Sequence, residues 1–359
     1  MKDNKKKKII LSGGGTGGSV VPLFFISREL KNDFDFIFVG TYDGLEREMV
    51  AKENMEYVAI LSGKFRRYFS VSNFIDLFKI FGAFWQSLFF LMRERPSILI
   101  SAGAFVSVPL VFASWLLKIP VLIHQQDVEP GLANKLMAPF AKVITVTFDK
   151  SLGCYGKRAR LIGNIGFDAK NKTTISRNNI FDKYNLNKDL PLVLILGGGT
   201  GSLFINSLVS NSVKDLSLSC NIVHISGDKS RDIKNDLRSV NYLKFSFMDH
   251  DNLMDLMTVS DLIVSRCGLS TLTEISFLKK AAILIPMPNS HQENNADEFS
   301  DGKGAVVLEE KRLSSEFFIE NIEKILNDRD GQQKLGNNAS KIIKNGNQGM
   351  IAIIKSLLR

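Results

Sequence analysis

Two glycine runs in this chain have the composition of phosphate-holding loops. They are Gly13-Gly14-Gly15-Thr16-Gly17-Gly18 and Gly197-Gly198-Gly199-Thr200-Gly201. A short apolar run leads into each, Lys8–Ser12 and Leu192–Leu196, and an amphipathic stretch follows each, Val20–Leu30 and Leu203–Val213. Glycine lets the backbone approach an anion closely, and a helix start offers free N–H groups and a positive dipole end. Two copies half a chain apart predict two similar domains, each with a phosphate-facing loop. That arrangement suits an enzyme working on a phosphate-rich donor and a phosphate-rich acceptor.

Further polar clusters follow apolar runs. They are Ser101–Phe105, His124–Asp127 with Pro130–Asn134, Gly163-Asn164, Ser265–Gly268 with Ser270–Glu274, and His291–Ala296. Open α/β sheets bind ligands just beyond such strand ends.

The elements that must carry these clusters alternate. Lys8–Ser12, Phe34–Gly40, Ser97–Ser101, Val121–His124 and Lys142–Thr147 read as strands in the first half. Leu192–Leu196, Ile222–Ser226, Leu243–Phe245, Leu262–Val264, Ala282–Ile285 and Ala305–Leu308 read as strands in the second. Helical patterns lie between them, which predicts βαβ units and parallel sheets covered on both faces. The polar stretch Asp168–Arg177 reads as the linker, and Asn347–Leu358 as a closing helix.

At 359 residues, 45% of them hydrophobic, the chain is long enough for two cores. A net charge of +9 is compatible with an anionic membrane surface. No nucleic-acid-binding motif accompanies it, so no nucleic-acid partner is expected. Three scattered cysteines, Cys154, Cys220 and Cys267, fit neither a zinc site nor a disulfide framework, and a reduced cytosolic protein is expected. The apolar run Ile9–Leu11 is too short for a signal peptide.

The segment Phe74–Met92 stands apart. Its uncharged part, Ile80–Met92, is shorter than the about 20 residues that span a bilayer. Lys64, Arg66 and Arg67 precede it, and Arg93 and Arg95 follow. Two readings stay open: a helix buried against the sheet, or one whose aromatic end lies in a membrane interface with basic anchors. One face on the sheet and the other in lipid satisfies both.

The first glycine run fits G-x-G-x-x-G through Gly13, Gly15 and Gly18. Its partner strand, however, ends in Phe38-Val39-Gly40-Thr41, with no acid at the tip for a ribose, which disfavours a dehydrogenase. A Walker A loop lacks its Gly-Lys-Ser/Thr ending. Instead, the clusters above, in this order and over nearly the whole chain, resemble the MurG family of peptidoglycan glycosyltransferases, glycosyltransferase family 28. The resemblance implies an α/β GT-B glycosyltransferase with two Rossmann-like domains facing a central cleft. Residues 1–165 would form an acceptor- and membrane-binding domain, and 166–346 a UDP-sugar-binding domain. The helix 347–359 would pack back on the first. It implies transfer of N-acetylglucosamine from UDP-GlcNAc to a lipid I-like acceptor, without cofactor or metal. It also implies peripheral attachment to the cytoplasmic face of the cell membrane through Phe74–Met92 and its basic flanks.

Matching positions imply roles. Gly14, Gly15, Thr16, Gly17 and Gly18, with Asn134, would meet the acceptor pyrophosphate. Glu274 matches the glutamate that binds the donor ribose, and a carboxylate accepts two hydrogen bonds from a diol. Gly268, Ser270, Thr271 and Thr273 begin the same helix and would face the diphosphate. Asn164, Gly199, Thr200, Gly201 and Arg266 join the donor site, and Gln292 and Asn295 would read the sugar. The chain also departs from the family pattern. Ser19 stands where the family has histidine, and His124-Gln125-Gln126-Asp127 replaces His-Glu-Gln-Asn. Gly163-Asn164-Ile165-Gly166-Phe167 replaces Gly-Asn-Pro-Val-Arg, and Gly197–Gly201 replaces Gly-Gly-Ser-Gln-Gly, with Thr200 offering a hydroxyl in place of the serine's.

An inverting displacement needs a base for the acceptor hydroxyl and positive potential for the leaving UDP. Asp127 is the first candidate base, because the chain carries its carboxylate there rather than at 125; His124 is the second, and Ser19 occupies the family's histidine position. Competing readings are another lipid-directed enzyme of this fold with a diacylglycerol acceptor, a UDP-GlcNAc 2-epimerase, and a UDP-sugar-binding protein that has lost turnover.

Overall fold

The structure, a computed structural model, describes residues 6–15, 17–62, 72–167, 176–198, 201–227 and 240–358, with the side chains of 72–79 left aside. The chain divides into two compact units, Met1–Phe167 with Lys344–Arg359, and Asp168–Ile343.

The first unit holds a seven-stranded parallel sheet. Its strands are β1 (Lys7–Ser12), β2 (Phe34–Gly40), β3 (Glu56–Ala59), β4 (Ile98–Ser101), β5 (Val121–Gln125), β6 (Val143–Val146) and β7 (Ala159–Leu161). Their order is β3-β2-β1-β4-β5-β6-β7. Helices α1 (Val21–Leu30), α2 (Leu45–Lys52), α3 (Ser72–Glu94), α4 (Ser107–Leu116) and α5 (Leu132–Met137) connect them.

Alternation along β1 decides which helices cover which face. Ile10 joins the core built with Leu88 and Leu91 of α3 and Leu110 of α4. Ile9 and Leu11 join the opposite core, with Leu23 and Ile26 of α1. Met350 and Ile354 of α13 (Asn347–Leu357) complete that second core, so the end of the chain is part of this unit. The return of the chain is pinned at Gly163. Its φ is +91°, and a Cβ there would lie 2.0 Å from the Lys344 carbonyl oxygen, so only glycine fits. Beside it, the Asn164 N–H donates to Lys344 O at 3.0 Å and the Gly346 N–H to Asn164 O at 2.7 Å.

The second unit repeats the plan with six parallel strands. They are β8 (Leu192–Leu196), β9 (Asn221–Ile225), β10 (Tyr242–Phe245), β11 (Leu262–Ser265), β12 (Ala282–Leu284) and β13 (Val306–Val307), in the order β10-β9-β8-β11-β12-β13. Around them lie α6 (Arg177–Lys183), α7 (Leu203–Leu216), α8 (His250–Val259), α9 (Leu269–Leu278), α10 (His291–Asp301), α11 (Ser315–Leu326) and α12 (Arg329–Ile342). Helix α11 buries Phe318, Ile322 and Ile325, one stripe at helical spacing, against Val193 and Ile195 of β8.

In each sheet the strand order reverses beside the first strand of the unit, between β1 and β4 and between β8 and β11. The strands that lead into the two glycine runs therefore stand at topological switch points, the places where open α/β sheets bind their ligands. The eleven strands read from the sequence are all present, with no end shifted by more than one residue. Strands β3 and β7 were not expected: both are short, carry polar or half-buried residues, and lie at sheet edges. Of the expected linker, residues 168–175 lie outside the described residues.

Candidate functional site

The first unit brings its polar clusters together at the ends of β1, β4 and β5. The first glycine run closes on itself. Ser19 Oγ accepts from the Gly14 N–H at 3.2 Å and donates to the Gly14 carbonyl at 2.9 Å. Gly15 takes φ +82°, and Gly17–Ser19 form a short 3-10 turn before α1. Gln126 Nε2 donates to the Gly18 carbonyl at 2.8 Å, tying the segment after β5 to the glycine run. Thr16 lies outside the described residues.

Gln125 organises that segment. Strand β5 runs one residue further than the sequence suggested, because Gln125 pairs with Val146 of β6. The buried side chain of Gln125 fills every position it has. Nε2 donates to the Asp127 carbonyl at 2.6 Å and to the Glu129 carbonyl at 3.2 Å, and Oε1 accepts from Asn134 Nδ2 at 2.6 Å and Tyr155 Oη at 2.8 Å. The glutamine thus fixes the backbone that carries half-buried Asp127. Asn134 Oδ1 is buried with no hydrogen-bond partner among the described residues and lies 3.3 Å from where a Cβ on Gly103 would stand. An unsatisfied buried acceptor is costly, and a ligand donor would relieve it.

His124 is fully buried. Nδ1 pairs with Thr145 Oγ1 at 3.0 Å and Nε2 with Asn164 Oδ1 at 3.4 Å. Burial pushes its pKa down to about 4, against the smaller opposing effect of the Asn164 and Thr145 hydrogen bonds. The ring is neutral near pH 7, with both nitrogens engaged inside the sheet. Asn164, expected among the donor residues, lies in this first unit and also accepts from the Ile165 N–H at 3.0 Å.

An acid does stand at the tip of β2. Glu46, from the first turn of α2, reaches back to Thr41 and Gly15. The residue comes five positions after Thr41, beyond the strand end where a dinucleotide-binding fold carries its acid.

In the second unit the candidate donor residues gather where β8 and β11 end. Gly199 and Thr200 lie outside the described residues. Gly201, at φ +77°, packs against the Ser226 carbonyl. Arg266 is no surface arginine. Its guanidinium donates to the carbonyls of Ile285 and Pro286 at 3.2 and 3.1 Å and to Ser202 Oγ at 2.8 Å, and pairs with Glu310 at 2.6 Å. It braces the glycine run against the loop after β12.

Helix α9 follows Gly268, an N-cap residue that supplies no side-chain cap, and among the described residues none is seen at this helix start. Thr273 is buried and its hydroxyl turns back onto the Leu269 carbonyl at 2.7 Å, so the structure does not present it outward. Glu274 is 13% exposed and sits 4.0 Å from His250 Nδ1. Burial pushes its pKa up to about 8, as expected for a desolvated carboxyl short of donors. Gln292 Oε1 accepts from the N–H groups of Cys267 and Met287, each at 3.2 Å, and Asn295 Nδ2 donates to the Cys267 carbonyl at 3.2 Å. The two residues expected to read the sugar thus also fold the loops that precede α9 and α10.

Helix α3 has two apolar faces. Ala83, Ser87 and Leu91 are buried. Phe81, Trp85, Phe89 and Met92 are 64%, 43%, 64% and 53% exposed, with the Trp85 ring 6.1 Å from those of Phe81 and Phe89. The expected basic anchors Lys64, Arg66 and Arg67 lie outside the described residues. Among the described residues no helix is long and apolar enough to cross a membrane.

Two parallel sheets, each with a glycine loop at its switch point, are the architecture of the GT-B glycosyltransferases. The crystal structure of MurG from Acinetobacter baumannii has this fold, with a TM-score of 0.78 at 21% identity over 98% of this chain and 99% of that one. A UDP-GlcNAc 2-epimerase from Neisseria meningitidis also shares it, with a TM-score of 0.68 at 12% identity over 99% of this chain and all of that one. Residues 9–146 match the glycosyltransferase family 28 N-terminal domain and 192–350 the C-terminal domain of the same family. The chain belongs to glycosyltransferase family 28. It is 34% identical over 358 residues to the UDP-N-acetylglucosamine--N-acetylmuramyl-(pentapeptide) pyrophosphoryl-undecaprenol N-acetylglucosamine transferase of Clostridium perfringens, covering 98% of each chain. It is 35% identical over 317 residues to the protein of the same name from Clostridium kluyveri, covering 86% of this chain and 88% of that one.

Proposed function

We propose that this chain transfers N-acetylglucosamine from UDP-GlcNAc to lipid I, giving lipid II for peptidoglycan synthesis. The observation that carries this reading is the set of relatives named for that reaction, 34% identical over 98% of both chains. The first unit takes the lipid-linked acceptor, with its pyrophosphate at Gly14–Gly18. Asn134 was expected beside it, but its Nδ2 donates to Gln125 and its Oδ1 is an acceptor, so it suits a hydroxyl or N–H of the acceptor rather than the pyrophosphate. The second takes UDP-GlcNAc, with the ribose on Glu274, the diphosphate at the start of α9 and on Gly199–Gly201, and the sugar near Gln292 and Asn295. The uncapped N–H groups after Gly268 and the donor-starved Glu274 support the donor assignment.

In this reading the acceptor hydroxyl attacks the anomeric carbon from one face while UDP leaves from the other. Asp127 takes the hydroxyl proton, on a backbone held by Gln125. The α9 start stabilises the leaving diphosphate. The exposed face of α3 lies in the membrane interface on the cytoplasmic side, with Arg93 and Arg95 near anionic headgroups.

A transfer assay with labelled UDP-GlcNAc and a short-chain lipid I analogue tests the function. Disaccharide-linked lipid and UDP are the expected products. Glycosylated diacylglycerol, or lipid-free conversion of UDP-GlcNAc to its 2-epimer, would point to the other enzymes of this fold instead.

A further inference from the structure

Glu46 is a fully buried carboxylate beneath the first glycine run. Oε1 accepts from Thr41 N at 3.0 Å and Thr41 Oγ1 at 2.6 Å. Oε2 accepts from the Gly15 N–H at 3.4 Å, the longest of the three bonds and hence the most readily exchanged. The surrounding chain is shaped around this side chain. A Cβ on Gly14, Gly40 or Gly44 would come within 2.9 Å of it or closer. Burial opposes its charge, yet the hydrogen bonds from Thr41 and Gly15 prevail and hold its pKa below the usual carboxylate range. A fixed negative charge therefore sits directly behind a loop read as the seat of a diphosphate, and one of that loop's amides points inward to it.

We propose that Glu46 is a positioning residue that competes with the acceptor's diphosphate for the Gly15 N–H: it holds that amide inward before the acceptor binds and yields it on binding. The proposal rests on the acceptor site being the first glycine run. Glu46 then keeps the loop folded and also limits how tightly the pyrophosphate is held, which favours release of an equally anionic product. Two effects act in the same direction. The carboxylate occupies a donor the ligand could use, and its charge repels the ligand across a short, poorly screened distance.

The test compares wild type, Glu46→Gln and Thr41→Val at pH 8, with inorganic pyrophosphate and a short-chain lipid I analogue as probes. Glu46→Gln keeps an oxygen for Thr41 but loses the charge and its hold on Gly15. It should bind both probes on the order of tenfold tighter, with donor KM unchanged and kcat lowered by slow release. Thr41→Val keeps the charge and should lose stability without tightening either probe. A folded Glu46→Gln that binds the probes equally or more weakly overturns the proposal, as does equal tightening in Thr41→Val. Carbon-13 NMR of the wild-type Glu46 carboxyl stands independently of any variant: its signal should move on saturation with pyrophosphate, and an unmoved signal overturns the proposal. If neither probe perturbs the amide signals of Gly14–Gly18, the acceptor-site reading falls as well, whereas perturbation there without the Glu46 effects overturns the proposal alone.

Discussion

Ser19 closes the first glycine run on Gly14, accepting from its N–H and donating to its carbonyl. One hydroxyl therefore satisfies both backbone groups of a residue in the middle of a phosphate-type loop, where the family pattern carries a histidine. Ser19→Ala should cost about 1–3 kcal/mol, since two buried backbone groups lose their partner. Denaturant titration would measure this. Acceptor KM should rise while donor KM stays level, and equal rises in both would sink the assignment of this loop to the acceptor.

Glu274 has a pH signature. Its folded pKa of about 8 exceeds its unfolded value, so between about pH 4.5 and 8 the native state holds a proton that the unfolded chain has lost. Stability from this group is full below that window and falls as pH rises through it, by a few kcal/mol at most. Glu274→Gln should flatten this slope in thermal unfolding. A ribose diol offering two donors favours the ionised carboxylate, so UDP-GlcNAc binding at pH 7 should release close to one proton and tighten up to about pH 8. Calorimetry in buffers of different ionisation heat reads the proton directly. Identical proton release in Glu274→Gln would remove the residue from the ribose.

The two buried histidines act in the opposite direction. Burial pushes His124 down to about 4 and His224 down to about 3, the latter aided by the Lys244 charge. His224 is held between Tyr242 Oη at 3.1 Å and Asn206 Oδ1 at 3.0 Å. Unfolded histidine takes up a proton near pH 6.5 that the folded rings refuse. Stability from both is present above that pH and lost as pH falls toward 4 and below, about 3 kcal/mol or more for each. Proton NMR should show both rings neutral at pH 5 in the folded protein. A ring titrating near pH 6.5 would contradict its burial.

These three cases also show what the sequence could reveal. The glycine runs, their strands and the α9 and α10 segments were legible because each is a local signal: apolar run, glycine turn, amphipathic helix. Glu46, Gln125 and Gln126 were not, because their roles are made by hydrogen bonds between loops that only folding brings together. Gln125 stands where the family pattern carries a glutamate, and it is the fully satisfied centre that holds the Asp127 and Glu129 backbone. Arg266 carries no sequence signal for what it holds, and only the distant carbonyls of Ile285 and Pro286 show it to be a brace. Strands β3 and β7 were hidden because an edge strand need not alternate or be apolar.

Phe81, Trp85 and Phe89 project from the folded unit, so replacing all three by serine should leave the melting temperature nearly unchanged. Vesicle sedimentation should show wild type bound to anionic membranes and the triple variant largely released. Added salt should weaken wild-type binding without abolishing it, because apolar area and charge both contribute. A triple variant that stays bound would remove this face from the membrane interface, and equal binding of wild type to neutral vesicles would remove the charge contribution.

Asp127 is the sharpest test of the mechanism. Its backbone carbonyl is fixed by Gln125 Nε2 at 2.6 Å, and its neighbour Gln126 is fixed to Gly18, so substitution of its side chain leaves two anchors of the loop in place. Asp127→Asn preserves shape and hydrogen-bonding capacity but removes the proton acceptor. If Asp127 is the base, kcat should fall roughly 10²–10⁴-fold with little change in donor KM. Asp127→Ala should recover part of its rate with added formate, which can enter the vacated space and take the proton, whereas Asp127→Asn should not respond. His124 offers no substitute from its present position, since both ring nitrogens are engaged within the sheet. A fall of less than about threefold in Asp127→Asn, or an Asp127→Ala variant indifferent to formate, would leave Asp127 only as a residue that holds the acceptor. The proton would then have to leave through a group outside the two that the sequence put forward.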